Sequence, residues 1–352
     1  MIGINIIFHT IQPGGGMERY CIDLIRSLTE QGIAIRAICR KFNWPKDSDL
    51  TSPIEFIKLP NLTPFSRVNN FIFEKTAYNH INKAWPTIAI SRIPQGADIA
   101  ITGGTHIGHL HSRKRINYSL FDRLTIQNEK NFYRKSSIII AHSQQTANEV
   151  TKHYNIKKEK TLCLYPPIDT QKFSLLAQKE RNNLRKKLNI KDNEILLLFP
   201  SNDHTRKGLD LILSAQKNWP PHIKIAIAGR EVKNKTPNII SLGFVKHMPC
   251  MYAAADATIL ASKYEPFGLV GPESILCGTP AILANTIGAT EVLTSPACIQ
   301  FERTENGLKK AIEHFIELHN KKKYPISTPE KSINYPYSIR SHTAKILELI
   351  KK

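Results

Sequence analysis

Short apolar runs that alternate with helical patterns constrain this sequence more than any other feature. The runs INIIFH at 4–9 and IAIRAICR at 33–40 flank a glycine turn, PGGG, and a helical pattern from Met17 to Gln31. A strand, a glycine turn, a helix and a second strand in this order predict a βαβ unit, whose strands pair in parallel. Further apolar runs continue the pattern to about residue 143.

The alternation stops at YPPIDTQKF, 165–173, and starts again with EILLLFP at 194–200. We therefore predict an α/β fold with two doubly wound, Rossmann-like domains facing a central cleft, because the carboxyl ends of parallel strands form the usual ligand-binding edge. The predicted domains cover 1–166 and 167–330, and an amphipathic helix lies in the tail 331–352.

Bulk composition narrows the class of protein. The 352 residues include 49 basic and 29 acidic side chains, a formal charge of +20, which calls for an anionic partner: nucleic acid, an anionic membrane face or a phosphorylated substrate. The six cysteines form no CxxC pair, which indicates thiols in a reducing cytosol. No apolar run approaches the roughly 20 residues of a membrane span, and the N-terminus is typical of a first strand. We predict a cytoplasmic protein without a signal peptide.

The stretch EPFGLVGPES contains two carboxylates, Glu265 and Glu273, around a predicted helix start near Gly268. Free amides at a helix N-terminus attract phosphate, so two acids beside them need another target. Carboxylates accept hydrogen bonds, and sugar hydroxyls on either side of a phosphate would donate them. A nucleotide sugar has that order of parts. The alternative, helix-capping glutamates on a surface, explains Glu273 but not Glu265.

Two further turns have phosphate-binding character. Gly15 and Gly16 follow the first strand, where glycines let backbone amides approach a ligand, although a tight turn without a ligand remains an alternative. Arg206 and Lys207 follow the first strand of the second half. A guanidinium and an ammonium beside a helix start suit a diphosphate, whereas the alternative is a solvated basic turn.

Two other motifs resemble known functional sites but lack the surrounding sequence that those sites require. The stretch GGTHIGH places His106 and His109 in a predicted loop and contains HIGH, the tetrad of nucleotidylyl transferases and class I aminoacyl-tRNA synthetases. Here the tetrad follows a later strand and no KMSKS-type loop occurs, so we do not assign that activity. Asp47–Asp49, DSD, mimics a metal-binding DxD but lies in a polar loop, and we predict no metal.

The segment 111–135 mixes basic and apolar side chains. It carries seven basic residues against Asp122 and Glu129, with aromatic residues and leucines interleaved. Such a mixture is typical of an element that docks on anionic lipid headgroups. It also suits single-stranded nucleic acid, and a solvated helix face with a buried apolar side is the third alternative.

Taken together, these motifs resemble the retaining glycosyltransferases of family 4, which have the glycosyltransferase B fold. The stretch EPFGLVGPES is similar to the E-x7-E signature of that family, and TRKGLD to its Arg/Lys phosphate site. The joint LYPPIDTQKF is similar to a P-x-G-x-D-x-x-x-F motif in which the usual glycine is replaced. The stretch LRKKLNIKDNEILLLFPSNDHTRKGLDLIL looks most like the lipopolysaccharide core glucosyltransferases.

The resemblance implies a role for each matching position. The N-terminal domain would face the acceptor, the C-terminal domain would bind the nucleotide sugar, and the tail helix would pack back on the N-terminal domain. The implied catalytic residues are Arg206, Lys207, Glu265, His106 and His109. The implied donor-binding residues are Gly15, Gly16, Arg206, Lys207, Gly243, Phe244, Val245, Glu265, Gly268, Leu269, Val270 and Glu273.

The resemblance also implies the activity. The expected enzyme moves a hexose from UDP-glucose or UDP-N-acetylglucosamine to a lipid-linked glycan such as the lipopolysaccharide core, without a cofactor. It would be peripheral on the inner face of the cytoplasmic membrane, with no nucleic acid as partner. One alternative is the same fold with ADP-heptose or GDP-mannose as donor. The alternative of another class is a basic nucleic-acid-binding protein.

Overall fold

The chain consists of two compact units. A computed structural model describes residues 3–44, 53–115, 117–232 and 238–351. Unit 1 comprises the chain up to Pro167 and again from Pro336 onward, and unit 2 comprises Ile168–Tyr335. The sequence analysis places the corresponding boundaries after residues 166 and 330.

Unit 1 contains one large parallel sheet with helices on its faces. Its strands are β1 (Gly3–Ile7), β2 (Thr10–Ile11), β3 (Ala34–Cys39), β4 (Lys41–Phe42), β5 (Ile54–Lys58), β6 (Thr87–Ala89), β7 (Ile99–Thr102), β8 (Ile138–Ala141) and β9 (Thr161–Cys163). Its first five helices are α1 (Gly16–Glu30), α2 (Ser66–Thr76), α3 (His106–Ser112), α4 (Leu120–Lys135) and α5 (Gln144–Tyr154). Across the described residues the sheet order is β5-β3-β1-β6-β7-β8-β9, and β2 and β4 form a separate parallel pair.

Continuous apolar runs form these strands because both faces of the sheet are covered. Ile4 and Ile6 on β1 pack into one core cluster with α1, whereas Ile7 packs into a second cluster with residues of α4 and α5. Strands buried on both faces lose the alternation of apolar and polar residues, which is why INIIFH contains four apolar positions.

Unit 2 repeats this architecture. Its strands are β10 (Ile195–Ser201), β11 (Ile223–Gly229), β12 (Ile239–Gly243), β13 (Ala257–Leu260), β14 (Ala281–Ala284) and β15 (Cys298–Phe301). Its helices are α6 (Arg181–Lys187), α7 (His204–Lys207), α8 (Leu209–Gln216), α9 (Met248–Ala254), α10 (Val270–Leu276) and α11 (Glu305–Asn320). In the described part of the unit the strands are parallel, in the order β12-β11-β10-β13-β14-β15.

A buried carboxylate ties the basic helix α6 to this sheet. Asp256, immediately before β13, accepts a hydrogen bond from the backbone amide of Leu196 at 2.7 Å. Arg185 forms an ion pair with the same carboxylate at 2.8 Å, and Arg181 contacts its other oxygen. Arg185 of the basic helix is therefore buried in unit 2, whereas Arg181 pairs with the same carboxylate from a half-buried position.

The last helix, α12 (Ile339–Ile350), belongs to unit 1. It packs against α1, where the Tyr20 hydroxyl lies 2.8 Å from Nε2 of His342 and the hydroxyls of Ser27 and Thr343 lie 3.0 Å apart. Ile346 of α12 is fully buried in the core cluster around α1. Within the described ranges, no helix has both the length and the apolar character that crossing a bilayer requires.

Several elements differ from the sequence expectation. His106 and His109 do not lie in a loop, because Thr105 caps the helix α3 by accepting a hydrogen bond from the amide of Gly108. The segment 111–135 consists of the end of α3, a turn and α4, rather than one element. Elements that the sequence analysis does not predict include α2, β6, β15 and α11.

Candidate functional site

The sheet of unit 2 reverses its order between β10 and β13. At such a reversal the loops after the two neighbouring strands run in opposite directions and leave a crevice at the carboxyl edge. The loop after β10 leads into α7 with Arg206 and Lys207, and the loop after β13 contains Glu265. The topology therefore brings together residues that lie almost 60 positions apart in the sequence.

A glycine lets α7 approach the end of β13. Gly208 has a φ of +79°, and a Cβ there would lie 1.9 Å from the carbonyl oxygen of Ala261. This close approach allows the side chain of Arg206 to reach across to the next loop. Its Nη1 donates to Oε2 of Glu265 at 2.7 Å and to the carbonyl oxygen of Tyr264 at 3.1 Å.

Lys207 is half-buried beside this ion pair. Burial lowers the pKa of its ammonium, the charge of Arg206 lowers it further, and Glu265 and Glu273 act in the opposite direction. The two carboxylates of the E-x7-E stretch, Glu265 and Glu273, therefore form one electrostatic cluster. The cluster also contains the two cations Arg206 and Lys207. Lowered pKa values of this kind cluster at functional sites.

The backbone around Glu265 is held by the loop after β14. The amide of Gly288 donates to the carbonyl of Glu265 at 3.0 Å, and that of Ala289 to the carbonyl of Phe267 at 2.7 Å. Gly268 has a φ of +90°, and a Cβ there would lie 2.8 Å from Cγ2 of Ile287. Only glycine fits this position without displacing its neighbour.

Glu273 lies in the first turn of α10, which begins at Val270 with Leu269 as its N-cap. Its side chain is buried, and the Tyr252 hydroxyl of α9 donates a hydrogen bond to its Oε2 at 3.0 Å. A tyrosine from a neighbouring helix thus positions Glu273. The buried Glu273 is therefore not the surface helix-capping glutamate of the alternative interpretation.

The other predicted residues lie elsewhere. Gly243 ends β12 at the edge of the unit 2 sheet, where Phe244 is 87% exposed and Val245 is half-buried. Gly15 and Gly16 are exposed at the N-terminus of α1 in unit 1. The predicted donor residues therefore fall on both units.

Unit 1 contains a pocket of about 420 Å³ at the reversal point of its own sheet, between β1 and β6. It is lined by the end of β7, by residues that follow β1, β6 and β7, and by residues of α1, α2 and α4: Phe8, His9, Gly16, Met17, Glu18, Glu74, Ile90, Ser91, Arg92, Ile101, Thr102, Gly103, Gly104, Glu129, Phe132 and Tyr133.

His106 borders the same polar network. Its backbone amide donates to Oε2 of Glu129 at 2.9 Å, and its ring Nε2 lies 3.0 Å from Oδ1 of Asp122. Hydrogen bonds from the Ser119 hydroxyl are the largest of the effects that lower the pKa of Asp122, and His106 adds to them. The sequence does not indicate which of His106 and His109 lies in the site, and the structure places both on α3.

Two family descriptions together account for most of the chain. "Glycosyltransferase Family 4" matches residues 14–172, and "Glycosyl transferases group 1" matches residues 180–331. A probable transglycosylase of Burkholderia thailandensis is 35% identical over 350 residues, which is 98% of this chain and 96% of that protein.

The chain belongs to glycosyltransferase family 4.

Similar solved structures confirm the prediction of an α/β fold with two Rossmann-like sheets. WaaG, a glycosyltransferase involved in lipopolysaccharide biosynthesis, matches with a TM-score of 0.79 at 17% identity, covering 99% of both chains. Anabaena HepE in complex with UDP and glucose matches with a TM-score of 0.73 at 18% identity, covering 100% of both chains. Membership in this family of enzymes favours the glycosyltransferase prediction over the nucleic-acid-binding alternative.

Family 4 motifs did not lead to the polar residues of the unit 1 pocket. Glu74, Arg92 and Glu129 are not predicted as site residues from the sequence; they come from α2, the loop after β6 and α4. The available signal was the polar pair Ser91 and Arg92 directly after a short apolar run, at the carboxyl end of a strand.

Over the described parts of the chain, no group of three or more His, Cys, Asp or Glu residues is arranged to hold a metal ion. Asp47–Asp49, the DSD motif, lies outside the described residues.

Proposed function

We propose that this enzyme is a retaining hexosyltransferase that uses UDP-glucose or UDP-N-acetylglucosamine. The acceptor is a hydroxyl of a lipid-linked glycan such as the lipopolysaccharide core, and the reaction needs no cofactor. The observation that carries this proposal is the cluster of Arg206, Lys207, Glu265 and Glu273 at the reversal point of the second sheet. The lipopolysaccharide role of WaaG and the UDP bound to HepE support it.

In the proposed binding mode, different residues of the cluster bind different parts of the donor. Arg206 and Lys207 bind the diphosphate, Glu265 accepts hydrogen bonds from the sugar hydroxyls, and Glu273 from those of the ribose. The backbone of Gly268, Leu269 and Val270 contacts sugar and phosphate. Because Arg206 forms an ion pair with Glu265, the residue that binds the diphosphate and the residue that binds the sugar have fixed positions relative to each other. Residues 243–245 flank the base, and Gly15 and Gly16 of unit 1 contact the acceptor.

The chemical step follows from this charge distribution. The bond between the anomeric carbon and the diphosphate oxygen breaks, and negative charge develops on the diphosphate, where Arg206 and Lys207 stabilise it. Preorganised charge of this kind is usually the largest single contribution to catalysis. The acceptor oxygen attacks on the same face, and its proton passes to the departing phosphate oxygen. The configuration at the anomeric carbon is therefore retained without an enzyme nucleophile.

A thermal-shift panel of UDP, GDP and ADP with their sugars tests the donor. We expect UDP and one UDP-sugar to stabilise the protein, by about 2.7 kcal/mol at 100 times the Kd. Stabilisation by GDP-mannose or ADP-heptose alone would show that this nucleotide sugar, and not a UDP-sugar, is the donor. The absence of a shift with any nucleotide would contradict a nucleotide-sugar site. The anomeric coupling constant of the product in NMR then distinguishes retention from inversion.

The exposed surface of α4 supports a membrane-facing role for 111–135. Asp122 and Glu129 are buried and Asp122 offsets Arg115 at 3.8 Å, which leaves the segment with an excess of exposed basic side chains. Leu120 and Leu124 are 76% and 45% exposed, one helical turn apart, whereas Phe132 and Tyr133 belong to the core. We propose that this basic, leucine-bearing surface binds the anionic inner face of the cytoplasmic membrane.

Replacing Leu120 and Leu124 together with serine should weaken binding to anionic vesicles. The expected loss is roughly tenfold, because two apolar side chains no longer enter the lipid interface. Flotation with phosphatidylglycerol vesicles measures it, and binding should also fall with salt. Leu176→Ser is the matched control, since Leu176 is 68% exposed in unit 2. Equal binding of both variants would contradict the proposed surface.

A further inference from the structure

We propose that the pocket of unit 1 binds an anionic group of the acceptor, a phosphate or a carboxylate, on the terminal nitrogens of Arg92. The inference rests on the proposed function, because it takes unit 1 as the part of the enzyme that receives the acceptor. It adds a chemical requirement on the acceptor: an acid group close to the hydroxyl that receives the sugar.

Arg92 presents the end of its guanidinium to the pocket. It follows β6, next to the reversal point of the sheet, and its Nε donates to Oε1 of Glu74 at 3.1 Å. The side chain of Arg92 is 34% exposed, whereas that of Glu74 is 5% exposed. Among the described residues, none accepts a hydrogen bond from Nη1 or Nη2. The two terminal nitrogens form the planar fork that binds carboxylate and phosphate through two parallel hydrogen bonds.

The carboxylates of the pocket already have donors from the protein. Oε2 of Glu74 accepts from the Asn128 amide at 3.2 Å. Oε1 of Glu129 accepts from the Tyr133 hydroxyl at 3.2 Å, and its Oε2 accepts from Tyr154 and from the amide of His106. Glu74 and Glu129 therefore serve as the hydrogen-bond acceptors that connect the polar network of the pocket. Burial opposes the charge on Arg92, but Glu74 and Glu129 outweigh it and raise its pKa, so that the guanidinium stays charged.

Two further cations, Arg40 and Lys41, act on His9 of the lining but do not line the pocket themselves. Burial lowers the pKa of His9 to about 4, and the charges of Arg92, Arg40 and Lys41 contribute to this, so His9 is neutral at pH 7. The buried guanidinium of Arg40 donates only to the neutral oxygens of Asn61, Ser66 and Asn70, with no carboxylate partner in the described part of the chain.

Glu18 lines the pocket together with Glu74 and Glu129, so the one lysine or arginine of the lining, Arg92, lies among three acids. Coulomb energies fall with distance, and the charge in direct contact with a ligand dominates its binding. Arg92 and Glu18 are the partly exposed charged groups of the lining, whereas Glu74 and Glu129 are buried, and the terminal nitrogens of Arg92 are the donors directed to a ligand. An anion is therefore the ligand that this arrangement favours.

Calorimetric titration of the full chain, saturated with UDP, tests the inference. The probes are inorganic phosphate, glucuronate and glucose, so that the two acid types are compared with a neutral sugar. We expect phosphate or glucuronate to bind and glucose to bind at least tenfold more weakly. Arg92→Lys, which keeps the charge but loses the fork, should weaken the anion at least tenfold, and the double variant Glu74→Gln/Arg92→Gln should abolish binding.

Arg36→Gln is the matched control, because Arg36 pairs with Glu55 on the sheet of the same unit. It should bind the anion as the unaltered protein does. Anion binding that survives in Arg92→Lys and in the double variant, or glucose that binds as tightly as the acids, would overturn the inference. If the double variant does not fold, Arg92→Lys alone decides.

Failure of the donor proposal is distinguishable from failure of this inference. The absence of any UDP effect on the unaltered protein would contradict the donor site of unit 2 only. The anion titration is then repeated without UDP, with Arg206→Ala as a second comparison. Phosphate binding lost in Arg206→Ala but kept in Arg92→Lys would assign the anion to unit 2 and reject the pocket of unit 1.

Discussion

Replacing Arg206 with alanine should abolish the stabilisation by UDP and lower the rate of sugar transfer by about 100-fold or more. Removal of one preorganised charge donor at the site of developing negative charge typically costs a factor of 10² to 10³. The substitution also leaves Glu265 without its 2.7 Å ion-pair partner, so the sugar-binding carboxylate loses its fixed position. Thermal shift with UDP and a transfer assay with radiolabelled UDP-glucose measure the two effects.

Two further variants separate charge from geometry in that experiment. Arg206→Lys keeps the positive charge without the planar fork and should fall between the unaltered protein and Arg206→Ala. Arg340→Ala removes an exposed arginine of α12 and should leave both measurements unchanged. An Arg206→Ala variant that is still stabilised by UDP to the same extent would contradict the donor site.

Replacing Asp256 with alanine should cause the largest loss of stability among single substitutions in unit 2. The carboxylate pairs with Arg181 and Arg185 and accepts from the amide of Leu196, and all three donors would lose it together. Removing one partner of a buried ion pair costs about 3–5 kcal/mol. For a unit of this size we expect Tm to fall by roughly 6–20 °C, measured by calorimetry.

Asp210→Ala is the control for that prediction. Asp210 is also paired with two cations, Lys263 at 3.3 Å and Arg303 at 3.9 Å, but its side chain is 61% exposed. Exposed pairs contribute about 0–1 kcal/mol, so the control should change Tm little. Similar Tm values for the two variants would show that the Asp256 cluster is not a buried ion-pair network.

The central strands and the signature residues were accessible from the sequence for a physical reason. Parallel strands covered on both faces appear as uninterrupted apolar runs, and EILLLFP forms β10 within one residue of its predicted bounds. Glu265 and Arg206 were recognised because glycine turns mark the loops at the carboxyl edge, and the structure brings them into contact.

The residues that were missed share a different physical cause. β6 has three residues, Thr87–Ala89, which is too short for a periodic pattern. In α2, Asn69 and Glu74 are buried, so polar residues occupy inward positions and obscure the amphipathic period. The contacts of Glu74 with Arg92 and Asn128 span 18 and 54 positions, and no local spacing rule predicts such contacts.

The connection of α12 to unit 1 bears on biosynthesis. The chain leaves unit 1 after Pro167, passes through all of unit 2 and returns at Pro336. The helix that Tyr20 and Ser27 of α1 contact therefore emerges from the ribosome only after all of unit 2. Until translation reaches it, this face of α1 stays open to water and to chaperones, and unit 2 is synthesised completely before unit 1 is finished.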